Sequence, residues 1–326
     1  MTEQNDKNLD RRQFLARAGK AGISIAAAGL ISYQLYDRYG PTTGVDAESL
    51  VTLPDFRVPD KPGQTMSIVK GPDRKATVNK AIELLGGIER FVKQGETVAI
   101  KPNVAFASSP MLGATAHPEL VAEVVRLCYK AGAKQVIVTD NPINDPASCF
   151  ILSGIGKAAG QAGAKVVLPK AHLFRHTTLE GGKLIRNWPV FFGPFENVDK
   201  LIGISPVKDH ARAGASMSMK NWYGLLGGRR NVFHQDINTI IAELSMMVKP
   251  TLMILDGTEV MITNGPTGGS VSDLRRANTL IASCDMVAAD SYGCSLLDLK
   301  VSDLPYLTKA EKAGAGTTDY ESLKPN

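Results

Sequence analysis

TVAIKPNVAFASSPMLGATAHPELVAEVVRLCYKAGAKQVIVTDNP, residues 97–142, holds the pattern that decides the fold. Its first eight residues, TVAIKPNV, read as a buried strand that ends in Lys101, Pro102 and Asn103. HPELVAEVVRLCYKAG then carries Leu120, Val121, Val124, Val125 and Cys128 at helical spacing. Pro118 suits the first turn and Gly132 closes the helix. KQVIVTDNP returns to a strand ending in Asp140. A strand, a helix and a second strand within so short a span predict a βαβ unit and a parallel sheet.

The same alternation runs outward on both sides. Toward the N-terminus, TMSIVKG reads as a strand, and Val78 to Leu85 reads as a helix stopped by Gly86 and Gly87. Toward the C-terminus, Ala147 to Gly163 reads as a small-residue helix and KVVLPK as a strand. Leu173 to Asn197 has turn signals and no helical period, so a small β excursion is expected there. DKLIGISPVKDH, TLMILDGTEVM and NTLIASCD are further strands, ending near His210, Asp256 and Asp285. HQDINTIIAELSMMV is an amphipathic helix with Ile237, Ile240, Ile241 and Leu244 on one face. MVAADSYGCSLLDL and a last segment from Tyr306 to Ala313 are also read as helices. The expected fold class is α/β: a mainly parallel open sheet with helices on both faces and a small β excursion.

The 326 residues are 44% hydrophobic and 21% charged, an ordinary globular composition. The formal charge of +5 is too small to argue for nucleic acid. LDRRQFLARAGKAGISIAAAGLISYQLYD places Arg11 and Arg12 ahead of Phe14, Leu15 and an Ala/Gly-rich apolar run. This reads as a twin-arginine export signal. The implied partner is the twin-arginine export machinery, and the implied location is the periplasm. An uncleaved signal would leave the protein as a membrane-anchored form facing the periplasm. The expected organisation is a signal or anchor over 1–39, a linker over 40–62 and a single α/β domain over 63–326. The four cysteines, Cys128, Cys149, Cys284 and Cys294, form no C-x-x-C pair and no ferredoxin-type motif.

Polar residues recur at the strand ends: Lys101 and Asn103, Asp140 and Asn141, Lys208 and His210, Asp256, and Asp285. In an open parallel sheet, ligands bind beyond the carboxyl ends of the strands. SMSMKNWYGLLGGRRNVFHQD, residues 216–236, adds Lys220, Asn221, Arg229, Arg230 and His234 around glycines. Lys and Arg supply charge, Asn supplies a donor and an acceptor, and glycine lets the backbone approach a ligand. Such a set suits phosphate or carboxylate. The P-loop spacing and the Gly-x-Ser-x-Gly elbow are both missing from the sequence. Candidates for proton transfer are His210, His234 and Lys208. Candidates for ligand binding are Lys101, Asn103, His117, Lys220, Asn221, Arg229 and Asp256. A metal ion assembled from distant strand ends is the rival, with Asp140, Asp285 and Asp290 as candidate ligands beside the histidines. NGPTGG, residues 264–269, reads equally as a hairpin turn or as an active-site loop.

Several blocks recur in order: IKPN at 100–103, AHP at 116–118, AGAKQVIVTDNP at 131–142, VKDH at 207–210, MKNWYGLLGG at 219–228 and His234. VKPTLMILDGTEVMITNGPTGG at 248–269 and IASCDMVAADSYG at 281–293 follow. Together they resemble the domain of unknown function 362 family, over about Ser67 to Gly316. The resemblance implies that Lys101, Asn103, His117, Lys208, His210, Lys220, Asn221, His234, Asp256, Asp285 and Asp290 occupy motif positions, without assigning their roles. Some relatives carry a ferredoxin-like segment; this chain lacks the clustered cysteines, so that function is not carried over. The leading expectation is an exported enzyme of unassigned reaction that binds a small anion and uses His/Lys acid–base chemistry. The alternatives are a non-catalytic ligand-binding or accessory protein of an exported respiratory complex, and a metal-carrying electron-transfer protein.

Overall fold

The computed structural model describes residues 50–323 and, further toward the N-terminus, Arg12, Leu15, Gly19, Lys20 and Gly22. The chain divides into two units, residues 1–45 and 46–326, and the second carries the fold. Apart from those five positions, the expected export signal lies outside the described residues, as does the linker up to residue 49.

In chain order the elements are β1 (Met66–Lys70), α1 (Arg74–Leu84), α2 (Ile88–Phe91), β2 (Thr97–Pro102), α3 (Pro118–Lys130) and β3 (Gln135–Thr139). Then come α4 (Pro146–Leu152), α5 (Ile155–Gln161), β4 (Lys165–Val167), β5 (Phe174–Thr177), β6 (Trp188–Phe191) and β7 (Lys200–His210). The remainder is β8 (Gly214–Ser216), α6 (Ser218–Asn221), α7 (Ile237–Met247), β9 (Leu252–Met261), β10 (Leu274–Ser283), α8 (Met286–Ser295) and α9 (Pro305–Lys312).

The main sheet has the order β1-β10-β9-β7-β2-β3-β4, with β8 added to β7. β9, β7, β2, β3 and β4 run parallel to one another. From β2 the chain moves outward through β3 and β4, then returns to the far side of β2 as β7 and continues to β9. The order therefore reverses between β2 and β7, and an open sheet gapes at such a point beyond the carboxyl ends of its strands.

Helices cover both faces, as the alternating pattern predicts. Apolar residues of α1 to α5, such as Val78, Leu120, Val124 and Ile155, pack with Val98, Ile100, Ile202 and Ile254. The opposite face packs Ile240, Ile241, Val287 and Tyr306 against Ala99, Leu201, Met253 and Leu255. Along β2 and β9 successive side chains fall into alternate clusters, the period-two signature of a sheet buried on both faces.

Two elements depart from the sequence reading. The helix expected over 147–163 is broken into α4 and α5 by Gly154, whose φ of +71° is left-handed. β10 pairs antiparallel with β9, and β1 antiparallel with β10, so this edge of the sheet is mixed. The excursion is present as the β5–β6 hairpin. Its connecting turn is held by Glu243 of α7, whose carboxylate accepts from the backbone N–H groups of Lys183, Leu184 and Ile185 at 2.5–3.1 Å.

Residues 50–62 carry no helix or ladder strand but are fastened to the domain. Phe56 is buried, its N–H donates to Lys249 O at 3.0 Å, and its carbonyl accepts from Thr251 Oγ1 at 2.7 Å. Among the described residues no helix is long and apolar enough to cross a membrane.

Candidate anion-binding site

At the reversal point lies a cavity of about 340 Å³. Its walls come from the ends of β2, β3 and β7, from α6 and the turn after it, and from Pro266 and Thr267 of the NGPTGG loop. That loop both joins the antiparallel pair β9 and β10 and forms the cavity rim, so its two sequence readings describe one segment. Five basic side chains line the cavity, Lys101, Lys208, Arg212, Lys220 and Arg230, against one carboxylate, Asp140.

The floor is a hydrogen-bonded chain of buried polar groups. Lys101 Nζ, fully buried, sits 2.7 Å from Asp140 Oδ1 and 3.0 Å from Asn221 Oδ1. Burial holds the Lys101 amine below its usual range, against the opposing pull of Asp140. Asp140 also accepts from the N–H of Val104 at 2.7 Å and of Asn141 at 2.9 Å. Asn221 uses its amide to donate to the carbonyls of Lys101 and Ile204, both at 3.2 Å, which pins α6 to β2 and β7. Asn103 links this group to Lys208, whose Nζ donates to Asn103 Oδ1 at 3.3 Å and to Ala114 O at 2.6 Å.

Gly224 stands where this floor meets the turn. A Cβ there would lie 2.5 Å from Asp140 Oδ1 and 3.1 Å from Lys101 Nζ. The first glycine of GLLGG is therefore present for close approach to a buried ion pair. Arg230 then locks the turn: its guanidinium donates to Asn141 O at 2.9 Å, Pro142 O at 2.7 Å, and Gly224 O and Leu226 O at 3.3 Å.

The helix carrying Lys220 and Asn221 is one turn long and cannot hold itself. Asp290 of α8, fully buried, accepts from the N–H groups of Ser218 at 2.7 Å and Met219 at 3.0 Å. Burial outweighs these bonds and pushes its carboxyl up to about 7.

Burial and crowding act on the lysines in the same direction. Lys208 is lowered to about 7, by burial first and by Lys220 next. Lys220 is lowered to about 8, by burial and by Arg230. Among the described residues the Lys220 side chain makes no hydrogen bond or ion pair; its Nζ lies 5.1 Å from the Tyr223 ring centroid.

The two histidines are stacked, with ring centroids 6.1 Å apart and an interplanar angle of 17°. Their partners assign opposite tautomers. His210 Nδ1 accepts from the N–H of Arg212 at 3.2 Å and of Ala213 at 3.1 Å, so the neutral ring carries its proton on Nε2. His234 Nδ1 faces Asn231 O at 3.3 Å and Tyr223 Oη at 3.0 Å. The Tyr223 hydroxyl already donates to Arg230 O, so His234 Nδ1 is the donor and its Nε2 keeps a lone pair. Burial, then Lys220, lowers both rings, and His210 falls to about 3. Neither ring is a ready imidazolium; His210 is a neutral N–H donor and His234 a neutral base.

The sequence profile of the family described as "Domain of unknown function (DUF362)" matches residues 98–295, from β2 through α8. The chain belongs to this family. A thylakoid-associated protein of Synechocystis sp. is 28% identical over 265 residues, 77% of this chain and 78% of that protein. Two solved structures overlap more loosely. A Thermotoga maritima protein has a TM-score of 0.34 and 11% identity over 57% of this chain. The lactate racemase apoprotein of Thermoanaerobacterium thermosaccharolyticum has a TM-score of 0.39 and 14% identity over 75%. The chain spans 51% and 58% of those two proteins respectively.

In this DUF362 chain the cavity gathers Lys101, Asn103, Asp140, Lys208, His210, Lys220, Asn221 and His234. Five other expected residues are elsewhere, Asp290 behind α6 and four more. Asp256 follows Leu252 and Ile254 on the sheet face that packs α1, opposite Lys101, and pairs with Arg74 at 2.7 Å. His117 caps α3, its Nδ1 accepting from Glu119 N at 3.3 Å, and neighbours that Arg74–Asp256 pair. Asp285 follows an antiparallel strand whose last residue, Ser283, pairs with Met253 near the start of β9, so it lies beyond the amino ends of the parallel strands, away from the cavity. There it caps α8 through Val287 N and Ala288 N. Arg229 is exposed, and its neighbour Arg230 faces the cavity instead.

The metal candidates Asp140, Asp285 and Asp290 are thus three separate anchors. Among the described residues no group of three or more His, Cys, Asp or Glu is placed to hold a metal ion. All four cysteines are unpaired. Tyr223, Phe106 and Arg212 line the cavity without being among the sequence candidates, and Arg230, named there beside Arg229, is the one of that pair that faces it. Tyr223 and Arg230 lie inside the basic, glycine-rich stretch, where the signal was local crowding; Phe106, 5.3 Å from Lys208 Nζ, carries no sequence signal.

Proposed function

We propose that this cavity binds a small anionic ligand, with His234 serving proton transfer on it and His210 polarising it by a hydrogen bond. The supporting observation is the imbalance, among the described residues, of five basic side chains against one carboxylate around one cavity. Two unit charges about 4 Å apart at an effective dielectric near 20 repel by roughly 4 kcal/mol. An anion between Lys208 and Lys220 offsets that repulsion and restores their charge. A neutral N–H donor, His210, which can polarise the ligand by a hydrogen bond, and a neutral base, His234, which can take a proton, then flank the ligand.

Phosphate, sulfate or a small carboxylate should raise the melting temperature, because each binds the folded state. In Lys220→Ala the increase should shrink while the unliganded melt changes little, since Lys220 Nζ holds no other group. If none of these anions shifts the melt beyond chloride at equal ionic strength, the anion reading fails.

We further propose that the protein is exported folded, by way of Arg11 and Arg12 and the apolar run behind them, to the periplasm or to a periplasm-facing membrane anchor. Replacing both arginines with lysine should retain the protein in the cytoplasm, as fractionation and immunoblotting would show. Export at the wild-type level in that variant contradicts the proposal.

A further inference from the structure

We infer that Lys220 is an imine-forming amine and that the cavity takes a short-chain 2-oxo acid, a reading that rests on the anion site and adds a carbonyl to its ligand. Three of the other basic groups are committed. Lys101 is held by Asp140 and Asn221, Lys208 by Ala114 O and Asn103, and Arg230 by four backbone carbonyls. Lys220 alone of these lysines lines the cavity without a hydrogen-bond or ion-pair partner among the described residues. A site needing charge alone is served better by arginine, which stays protonated when buried. A lysine set among other cations and partly desolvated is the arrangement that yields a free amine near neutral pH. Its amine, lowered to about 8, fits that role.

The surroundings match the steps. The Lys220 nitrogen adds to the ketone carbon, forming the C–N bond and moving the carbonyl π pair to oxygen. His210 Nε2–H donates a hydrogen bond to that oxygen. His234 Nε2 takes a proton from nitrogen and returns it to oxygen, giving a carbinolamine. A second N-to-O proton transfer expels water and leaves the imine. The amine gives up two protons and the ketone oxygen leaves with both, so no oxidant or reductant enters. Arg212 remains to hold the carboxylate, together with the one ammonium N–H of Lys208 that Asn103 and Ala114 do not take. A cavity of about 340 Å³ suits a small molecule of this kind.

The test is borohydride trapping. The full chain is mixed with pyruvate or 2-oxoglutarate, reduced, and mapped by peptide mass spectrometry, with melting temperatures recorded in parallel. Near-stoichiometric reduced adduct is expected on Lys220 and on no other lysine. Propionate and glutarate, which lack the ketone, should compete with labelling. Lys220→Arg should lose the adduct but keep most of the thermal shift. Adduct scattered over surface lysines and unchanged in Lys220→Arg overturns the inference. So does a thermal shift without adduct from either 2-oxo acid, and in that case the anion reading stands. Neither shift nor adduct from any of the four acids overturns the inference, and the anion reading falls with it only if phosphate and sulfate also leave the melt unchanged.

Discussion

Replacing Asp140 with alanine is expected to lower folding stability by about 3–5 kcal/mol, the cost of leaving one member of a buried ion pair unmatched. Lys101 Nζ has no exposure, and Asp140 is the one carboxylate it touches among the described residues, at 2.7 Å. The substitution also strips the acceptor from Val104 N and Asn141 N, which position the loops after β2 and β3. Equilibrium denaturation measures the loss. Much of it should return in the Lys101→Met/Asp140→Ala double variant, because removing both charges removes the uncompensated one. The double-mutant cycle should therefore show strong coupling. A loss under about 1 kcal/mol, or additive effects in the cycle, would contradict this picture of the cavity floor.

Asp290→Ala is expected to be comparably severe. It leaves two buried N–H groups, of Ser218 and Met219, without an acceptor, at about 1–3 kcal/mol each. The damage extends to the site, because those groups start the single turn that presents Lys220 and Asn221. Asp290→Asn keeps one acceptor oxygen and should retain more stability. Its binding of sulfate should still be weaker than wild type, since Asn221 would lose its fixed reach to the carbonyls of Lys101 and Ile204. Wild-type stability and affinity in Asp290→Ala would show that α6 is held by something else.

Much of the fold is legible in the sequence, for reasons that differ by element. α3 is read directly because Leu120, Val121, Val124, Val125 and Cys128 recur at helical spacing, and all five are buried. The parallel centre follows from the strand–helix–strand spacing. The direction of β10 was not legible, because an apolar run reads alike in either direction. The glycine-rich NGPTGG between β9 and β10 was the available clue, and a hairpin connection puts Asp285 at the amino ends of the parallel strands. Asp256 could have been placed by alternation, since it shares parity with Leu252 and Ile254 rather than with Met253 and Leu255. Arg229 and Arg230 could not be told apart. The two shortest bonds that hold Arg230 go to the carbonyls of Asn141 and Pro142, far away in sequence. The opposite tautomers of His210 and His234 depend on backbone N–H and C=O groups, which no side-chain pattern reports.

The central claim is that the lysines at the reversal of strand order wait for an anion. Calorimetric titration with sulfate between pH 6 and pH 9 tests it most directly, because sulfate keeps its charge throughout and only the protein titrates. Lys208 and Lys220, lowered to about 7 and about 8, are protonated at the acid end of that range and neutral at the alkaline end. Sulfate affinity should thus be greatest near pH 6 and fall as pH rises through 7 and 8, with proton uptake on binding in that window. In Lys220→Ala the affinity should be lower and the fall shallower. Binding that is undetectable at pH 6, or that is unchanged up to pH 9, would contradict the account.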